Sequence, residues 1–250
     1  SFLLALNFLK EQQAMTGKIL ILFVVTVLFL ALFLWGQTKG EEPMLPLTLF
    51  KNPFIAIANS VSFLIGFILV AVTFYIPLWV QGVANLNATL SGTAMLPMSV
   101  TWLIGAMLTG RWINRMSMAK IAMTGLSAIL IGCTGLVFFT PATTIPWMMG
   151  MTAILGIGFG LSSTLFTVIV QSAVAWNMRG AALGSMNLMR NLGQTIGISI
   201  SGLWLSDALY GKELAASLHN VFFLLVALAC LAFGLSTFLI GKQFKHAANG

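Results

Sequence analysis

The sequence predicts an all-α integral membrane protein, from its composition and from the placement of its charges. Of the 250 residues, 59% are hydrophobic and only 7% are charged, whereas a typical soluble domain has about 25% charged residues. A soluble fold of this length cannot cover so much apolar surface with polar groups. The charge-free stretches are continuous, which favours helices over the alternating strands of a membrane barrel. They cover residues 19–38, 52–110, 121–178 and 214–241.

A membrane-crossing helix needs about 20 mainly apolar residues. With this length and the helix breakers, the sequence predicts seven complete spans, at 19–36, 54–79, 91–112, 119–140, 146–170, 182–205 and 220–241. We expect residues 1–9 to be the tail of an eighth span, so that the chain begins inside a helix. The longest connection, 37–53, separates the extra helices of 1–36 from a six-helix bundle of 54–241, and residues 242–250 form a tail.

The basic residues predict the orientation, because cytoplasmic loops are enriched in Lys and Arg. One predicted side carries Lys10, Lys18 and Lys212. The other side carries Lys39, Lys51, Arg111, Arg115, Lys120, Arg179, Lys242 and Lys245. We therefore expect a multi-pass protein of the cell membrane with a cytoplasmic linker and a cytoplasmic C-terminus. This topology explains the net charge of +7 better than nucleic-acid binding does.

Enzyme chemistry has little support in the sequence. The two histidines, His219 and His246, lie at the edge of a span and in the tail, and no spacing of residues resembles a metal site. Cys133 and Cys230 both lie in apolar stretches, so no disulfide framework is indicated. The glycines of the segment GIGFGL lack the preceding strand that a nucleotide-binding loop requires. We expect no enzymatic activity, no cofactor and no metal.

The span at 182–205 has the most informative pattern, a polar stripe at helical spacing. Gly184, Asn187, Asn191 and Gln194 recur every three or four residues, Ser201 continues the stripe, and Arg190 borders it. Such a stripe is expected to face the bundle interior or a wet cavity. It either lines a path for a substrate, or its amides bond neighbouring helices while Arg190 reaches the cytoplasmic interface.

The first span of the bundle adds further candidates for a substrate path, namely Asn59, Ser62, Tyr75 and Trp79. Trp79 is expected to anchor the chain at the outer membrane interface, or alternatively to form an aromatic wall for an apolar ligand.

Pairs of glycines four residues apart predict close helix packing. They are Gly156 with Gly160, Gly180 with Gly184, and Gly193 with Gly197. No Asp or Glu lies deep in any predicted span, so a group that couples transport to protons is expected outside this chain.

Four stretches, in this order and spacing, resemble the major facilitator superfamily, and within it the C-terminal half of the fourteen-span drug:proton antiporters of the EmrB and QacA type. They are residues 46–52 (PLTLFKN), 75–81 (YIPLWVQ), 156–160 with 171–174 (GIGFG and QSAV), and 179–180 with 189–194 (RG and MRNLGQ) followed by Gly197. A fifth stretch resembles the loop motif of that superfamily and involves Gly110, Asn114, Arg115 and Lys120. Because Asn114 replaces the acid of the motif, Arg115 and Lys120 are expected only to hold the loop at the cytoplasmic face.

The resemblance implies two six-helix bundles that rock about a central site, with two extra helices between them. This chain would supply one bundle, one complete extra helix and the tail of the other. Its partners would be the lipid bilayer, the N-terminal half of the same transporter, a lipophilic small-molecule substrate and protons, but no nucleic acid. The implied function is efflux of hydrophobic or cationic drugs by proton antiport. The alternatives are a carrier of another substrate, such as a siderophore or metabolite, and a non-transporting membrane module that binds a partner.

Overall fold

A computed structural model describes residues 52–205 and 212–247 of the chain, and Leu28 alone before them. Its described residues form six long helices and no strand, as the sequence predicts. The helices are α1 (Pro53–Leu78), α2 (Ala88–Trp112), α3 (Met118–Val137), α4 (Ile145–Ser172), α5 (Arg179–Leu203) and α6 (Lys212–Ala247). The extra helices predicted before residue 37, and the linker up to residue 51, lie outside the described residues.

Local chemistry explains where α1 and α2 begin and end. The side chain of Asn52 accepts a hydrogen bond from the backbone of Phe54 (3.0 Å) and caps α1, which starts at a proline suited to a first helical turn. After Leu78 the chain continues as a π-helical turn, Trp79–Val83. It stops at Asn85, whose positive φ of 53° suits the left-handed end of a helix. Asn87 then caps α2 by accepting from the backbone of Leu90 (2.9 Å).

Helices that follow one another along the chain alternate in direction, as expected for a chain that crosses a membrane repeatedly. Helices α1 and α5 run parallel, since Asn59 contacts Ser185 near their starts and Tyr75 contacts Ile198 near their ends. Helices α2 and α4 also run parallel, since Thr152 bonds the carbonyl of Ala94 and Thr109 bonds that of Leu161. Helices α3 and α4 are antiparallel, because Gly135 faces Met151 while Gly125 faces Ser162.

Five helices in the described part of the chain are long and apolar enough to cross a membrane. They are α1 with its π-helical turn, α2, α3, α4 and α6. The sixth helix, α5, has 25 residues and is therefore long enough, but its polar residues reduce its hydropathy. Because α5 lies alongside α1 over most of the length of both helices, the contacts favour the predicted span here too.

Two helix ends differ from the predicted span boundaries. Helix α6 begins at Lys212 rather than near residue 220, which makes His219 part of the helix. Helix α3 ends at Val137, so Phe139 lies in the following connection. The sequence pattern located both spans by their apolar residues, and such a pattern does not report the polar first or last turn of a helix.

The basic residues of the described loops gather at one end of the bundle, which we call the basic end. Arg111 is near the end of α2, Arg115 and Lys120 flank the start of α3, and Arg179 begins α5. The connections between α1 and α2, α3 and α4, and α5 and α6 meet at the opposite end. This grouping matches the predicted alternation, while the assignment of the basic end to the cytoplasm stays a prediction.

Candidate translocation face

Two asparagines lie on an exposed face of α5. Asn187 and Asn191 are both exposed, together with Gly184 on the same face, and neither amide bonds another described residue. Asn191 lies 12 residues from each end of the helix, which places it about 18 Å along the axis at 1.5 Å per residue. The sequence predicted this stripe inside the bundle or beside a wet cavity. The structure places its two asparagines and Gly184 outside the packing of the six helices, so the interior alternative does not hold for this part of the stripe.

Arg190 and Gln194 lie on the flank of this exposed face, and both are half-buried. The backbone carbonyl and the Cγ atom of Arg190 approach Gly66 of α1 so closely that a side chain at position 66 would collide with them. The Nε atom of Arg190 is buried and bonds no described residue. The stem of Arg190 therefore packs on α1, and its guanidinium keeps hydrogen-bonding capacity in the middle of the span.

The other path candidates from the sequence lie inside the bundle, away from the exposed face. The amide of Asn59 is buried and donates to the hydroxyl of Ser185 (2.9 Å), so it joins α1 to α5. The hydroxyl of Tyr75 is 3.4 Å from the carbonyl oxygen of Ile198. Ser62 and Ser201 are buried, and their hydroxyls bond no described residue. Ser201, predicted to continue the polar stripe of α5, therefore lies in the bundle interior, apart from the exposed asparagines.

The prediction that Trp79 anchors the chain at the membrane interface is also wrong, because its side chain is fully buried. Its ring packs among Phe139, His219 and Phe222, with centroid distances of 6.0, 5.0 and 5.7 Å. Trp79 is thus part of an aromatic cluster that joins the π-helical turn after α1, the connection after α3 and helix α6 at the end opposite the basic end. The sequence did not indicate this role for His219, because the residue appeared to precede its span.

Two of the three predicted glycine pairs lie where two helices approach closely. A Cβ atom at Gly156 would collide with the carbonyl of Met98, and one at Gly160 with that of Trp102, so both glycines let α4 approach α2. Gly193 and Gly197 have the same role between α5 and α1. At Gly180 and Gly184 a Cβ atom would meet nothing within 4 Å, so this pair makes no such contact among the described residues. The sequence missed other glycines that contact a neighbouring backbone or side chain closely, among them Gly66, Gly105, Gly125 and Gly158.

The predicted loop motif lies at the basic end and is solvent-accessible. Gly110, Asn114, Arg115 and Lys120 are all exposed, and no described residue lies within 4 Å of a Cβ atom built on Gly110. In this described part of the chain, no side-chain hydrogen bond or ion pair joins Asn114, Arg115 and Lys120 into a charge relay. Their placement agrees with the simpler expectation that Arg115 and Lys120 hold the loop at the membrane surface.

An open apolar groove of about 300 Å³ lies between α1, α5 and α6. It lies on a different side of α5 from the exposed asparagines, because Met189 lines the groove while Asn187 and Asn191 do not. Its lining is formed by Ala56, Asn59, Ser60, Phe63, Leu64, Met189, Leu231 and Leu235. No group of three or more His, Cys, Asp or Glu side chains suited to a metal ion occurs in the described part of the chain.

Long apolar helices, alternating directions and a polar face in the middle of a span define a polytopic membrane protein of the helical-bundle type. A family model described as Major Facilitator Superfamily matches residues 12–198. The chain belongs to this superfamily, which is a family of transporters and not of enzymes.

Individual relatives carry names from drug resistance. Over 185 residues the chain is 30% identical to multidrug resistance protein 3 of Bacillus subtilis (strain 168), covering 74% of this chain and 36% of that protein. It is 28% identical over 203 residues to multidrug transporter protein MdtP of the same strain, covering 81% and 38%. It is 24% identical over 186 residues to methylenomycin A resistance protein, also of that strain, covering 74% and 40%. The chain thus spans about two fifths of the length of these curated relatives.

Proposed function

We propose that this chain is the C-terminal part of a multidrug efflux transporter that exports hydrophobic or cationic compounds by proton antiport through alternating access. Its six described helices form one bundle of the carrier, and the remaining part of the protein supplies the other bundle. In repeat-built carriers of this kind the substrate binds near the middle of the membrane, between the two halves. The names of the relatives support the substrate class, and their greater length supports a missing half.

The observation that carries this proposal is the exposed asparagine pair in the middle of α5. Burying an amide in an apolar environment without a hydrogen bond costs about 1–3 kcal/mol by protein mutational data. Two such amides facing lipid would therefore cost several kcal/mol, and no described residue compensates them. Contact with a second bundle, or with the water of a central cavity, removes this cost. We therefore assign Asn187 and Asn191 to the face that lines the path, with Arg190 and Gln194 at its edge.

The charge of a cationic substrate has no carboxylate partner within the described spans. The five acidic residues of the chain are Glu11, Glu41, Glu42, Asp207 and Glu213. Only Glu213 lies in the described part, where it is exposed in the first turn of α6. We therefore place the carboxylate that faces a cation, or that exchanges protons, in the half of the carrier outside this chain. This chain would supply amides, apolar surface and one of the two bundles that rock against each other.

Transport by the full-length protein tests the proposal. Proteoliposomes loaded with a lipophilic cationic dye should lose the dye when a pH gradient is applied, and a protonophore should stop the loss. Dye movement that ignores the pH gradient refutes antiport. If the protein carries a siderophore or a metabolite and the dye does not compete with it, the result supports a carrier of another substrate. Inertness of the complete protein toward all solutes, with a copurifying partner, supports a non-transporting module.

The Asn191→Leu variant tests the face itself. We expect dye transport to fall by roughly tenfold, the factor that corresponds to loss of one hydrogen-bonding interaction of about 1.4 kcal/mol. The matched control is Thr134→Val on α3, because Thr134 is exposed and its hydroxyl donates to the Leu130 carbonyl of its own helix (2.8 Å). The control should transport normally. If Asn191 instead faces lipid, Asn191→Leu leaves transport intact and raises thermal stability, and the assignment of the face is then refuted.

A further inference from the structure

Arg190 is a positive charge at the middle of two packed helices. It lies 11 residues after Arg179 and 13 before Leu203, about 16 and 20 Å along the axis of α5 at 1.5 Å per residue. Its Cγ atom lies 3.1 Å from the position of a Cβ atom built on Gly66, which is 13 residues after the start of the 26-residue helix α1. Both helices therefore place the stem of this side chain at the centre of the span.

The packing of the stem bears on how the charge of Arg190 is satisfied. An arginine near a helix end directs its guanidinium to the lipid headgroups. From the centre of the hydrocarbon core the headgroups are about 15 Å away. The stem of Arg190 lies against the backbone of α1 at this depth, and its Nε atom is buried without a hydrogen bond to any described residue. Because a charge that faces lipid there is costly, we expect it to be balanced inside the membrane.

No carboxylate of the described residues is placed to balance Arg190. Helices α1 and α5, which hold its stem, contain no Asp or Glu. Among the residues that the structure describes, Glu213 is the one acid, and it is exposed in the first turn of α6, at the end opposite the basic end. The balancing charge therefore comes from a group beyond the described residues.

The polar neighbours of Arg190 on α5 add further hydrogen-bond donors. Asn187 and Gln194 lie one turn before and one turn after it, a spacing that brings side chains together on a helix surface. Asn187 is exposed and Gln194 is half-buried. Each amide has two N–H donors, and the guanidinium has five in a planar fork. An anion with two oxygens can accept from the fork and from a flanking amide at the same time.

A carboxylate fits this set of donors and this depth. Guanidinium and carboxylate groups pair through two parallel hydrogen bonds, which are stronger than bonds between neutral groups. A lipid phosphate has matching oxygens, but it lies at the membrane surface rather than in the hydrocarbon core. A carboxylate reaches the middle of the span in two ways, on an acidic side chain of another helix or on a lipophilic substrate.

We propose that Arg190, with Asn187 and Gln194 beside it, is a binding site for a carboxylate in the middle of the membrane. A carboxylate on an acidic side chain joins α5 to the rest of the protein across the path. A carboxylate on a substrate makes Arg190 a residue that selects substrates by their charge. The role of the site in transport rests on the proposed function, whereas the presence of a carboxylate at Arg190 does not.

Solid-state nuclear magnetic resonance of the full-length protein in lipid bilayers identifies the group at the guanidinium. Arg190 is the one arginine of this chain that is followed by asparagine, so labelled arginine combined with ¹⁵N-labelled asparagine selects it, and the loss of its signals in Arg190→Lys confirms the assignment. Contacts are measured from its guanidinium nitrogens to three kinds of atom. These are ¹³C side-chain carboxyls of aspartate and glutamate, the ¹³C carboxyl of added pyrenebutyrate (a lipophilic carboxylate), and the ³¹P of lipid phosphates.

Each outcome of this measurement decides the proposal. Contact with aspartate or glutamate carboxyls without pyrenebutyrate supports a carboxylate of the protein, and contact with pyrenebutyrate alone supports a carboxylate of the substrate. Contact with lipid phosphorus instead of a carboxyl, or with none of the three, overturns the proposal. Arg115, which is exposed at the basic end, is the internal reference and should contact lipid phosphorus.

Binding of pyrenebutyrate and of its uncharged methyl ester separates the two sources independently. If the substrate supplies the carboxylate, Arg190→Gln should weaken pyrenebutyrate binding by about tenfold or more, the effect of one hydrogen bond to a charged group, and should affect the ester much less. If the protein supplies it, Arg190→Gln should affect both probes alike and lower the melting temperature, because a carboxylate is left unpaired in the span. The matched control, Arg115→Gln, should follow wild type. Equal binding of both probes together with unchanged melting in Arg190→Gln overturns the proposal.

Failure of the proposed function is recognised separately. If the wild-type protein transports no dye under a pH gradient, efflux by antiport fails, while the contacts of the guanidinium nitrogens still decide whether Arg190 holds a carboxylate. If dye is transported and those nitrogens contact no carboxyl carbon, the carboxylate site is refuted and the proposed function stands.

Discussion

Gly160 should be sensitive to substitution in the contact between α2 and α4, and Gly160→Ala tests this. A Cβ atom at position 160 would collide with the carbonyl oxygen of Trp102 and lie 2.9 Å from the backbone nitrogen of Ala106. Ordinary contacts of such an atom begin near 3.4 Å. Because the obstructing atoms are backbone, no side-chain rotation relieves the overlap, and the two helices must separate by about half an ångström or more.

The energetic cost can be worked from the contacts that this separation would weaken. Extra methyl groups in a well-packed core cost about 1–3 kcal/mol. Three threonine hydroxyls also bond carbonyls across the interface, each worth about 0.6 kcal/mol in a membrane protein. They are Thr101 to Ala153 (2.8 Å), Thr109 to Leu161 (3.2 Å) and Thr152 to Ala94 (2.7 Å). The better helix propensity of alanine returns up to about 1 kcal/mol. The net effect should be destabilisation by about 1–3 kcal/mol.

Gly150→Ala is the matched control, because Gly150 lies on the same helix and a Cβ atom there meets nothing within 4 Å. The purified full-length protein is heated and the folded fraction is followed by size-exclusion chromatography. We expect Gly160→Ala to melt a few degrees below wild type, since about 1 kcal/mol shifts the melting temperature by 2–4 °C in domains of 150–250 residues. Gly150→Ala should melt at or above wild type. Equal melting of the two variants refutes the close-contact argument.

Two further predictions concern the contacts of α5. Asn59→Ala should destabilise the protein by about 1–3 kcal/mol, because it leaves the buried hydroxyl of Ser185 without its partner. Adding Ser185→Ala should cost less than the two single changes together, and strict additivity in this double-mutant cycle would show that the pair does not interact. Arg190→Ala should impair dye transport without reducing membrane insertion, whereas Arg190→Lys, which keeps the charge but not the planar guanidinium, should restore only part of the activity. Full transport by Arg190→Ala would instead show that the arginine merely reaches the membrane surface.

Composition and charge placement were sufficient to predict the helical membrane fold, because both are set by the solvent around each helix. The same rules predicted the glycine contacts at Gly156, Gly160, Gly193 and Gly197. They failed at Gly180 and Gly184, whose spacing is the same but whose face of α5 has no neighbour in the bundle. Spacing along a helix shows which residues share a face, and it does not show which face a neighbour covers.

The same limit explains the errors at the candidate site. Trp79 follows a proline near a predicted span end, a position typical of an interfacial tryptophan, and yet a π-helical turn extends the helix past it. The ring then meets Phe139 and His219, residues that lie 60 and 140 positions further along the chain. Periodicity reports only local neighbours, so a cluster assembled from three distant segments gives no signal in the sequence. For this reason His219 was recognised only from the structure.

The two sides of helix α5 have different roles. One side holds Gly193 and Gly197 against the backbone of α1, and Ser185 is bonded to Asn59. The other side carries Asn187 and Asn191, which no described residue covers. Changes on the first side should therefore lower stability first and transport only as a consequence, whereas changes on the second side should lower transport in a protein that remains folded. A helix that only packed into the bundle would show the first behaviour on both sides.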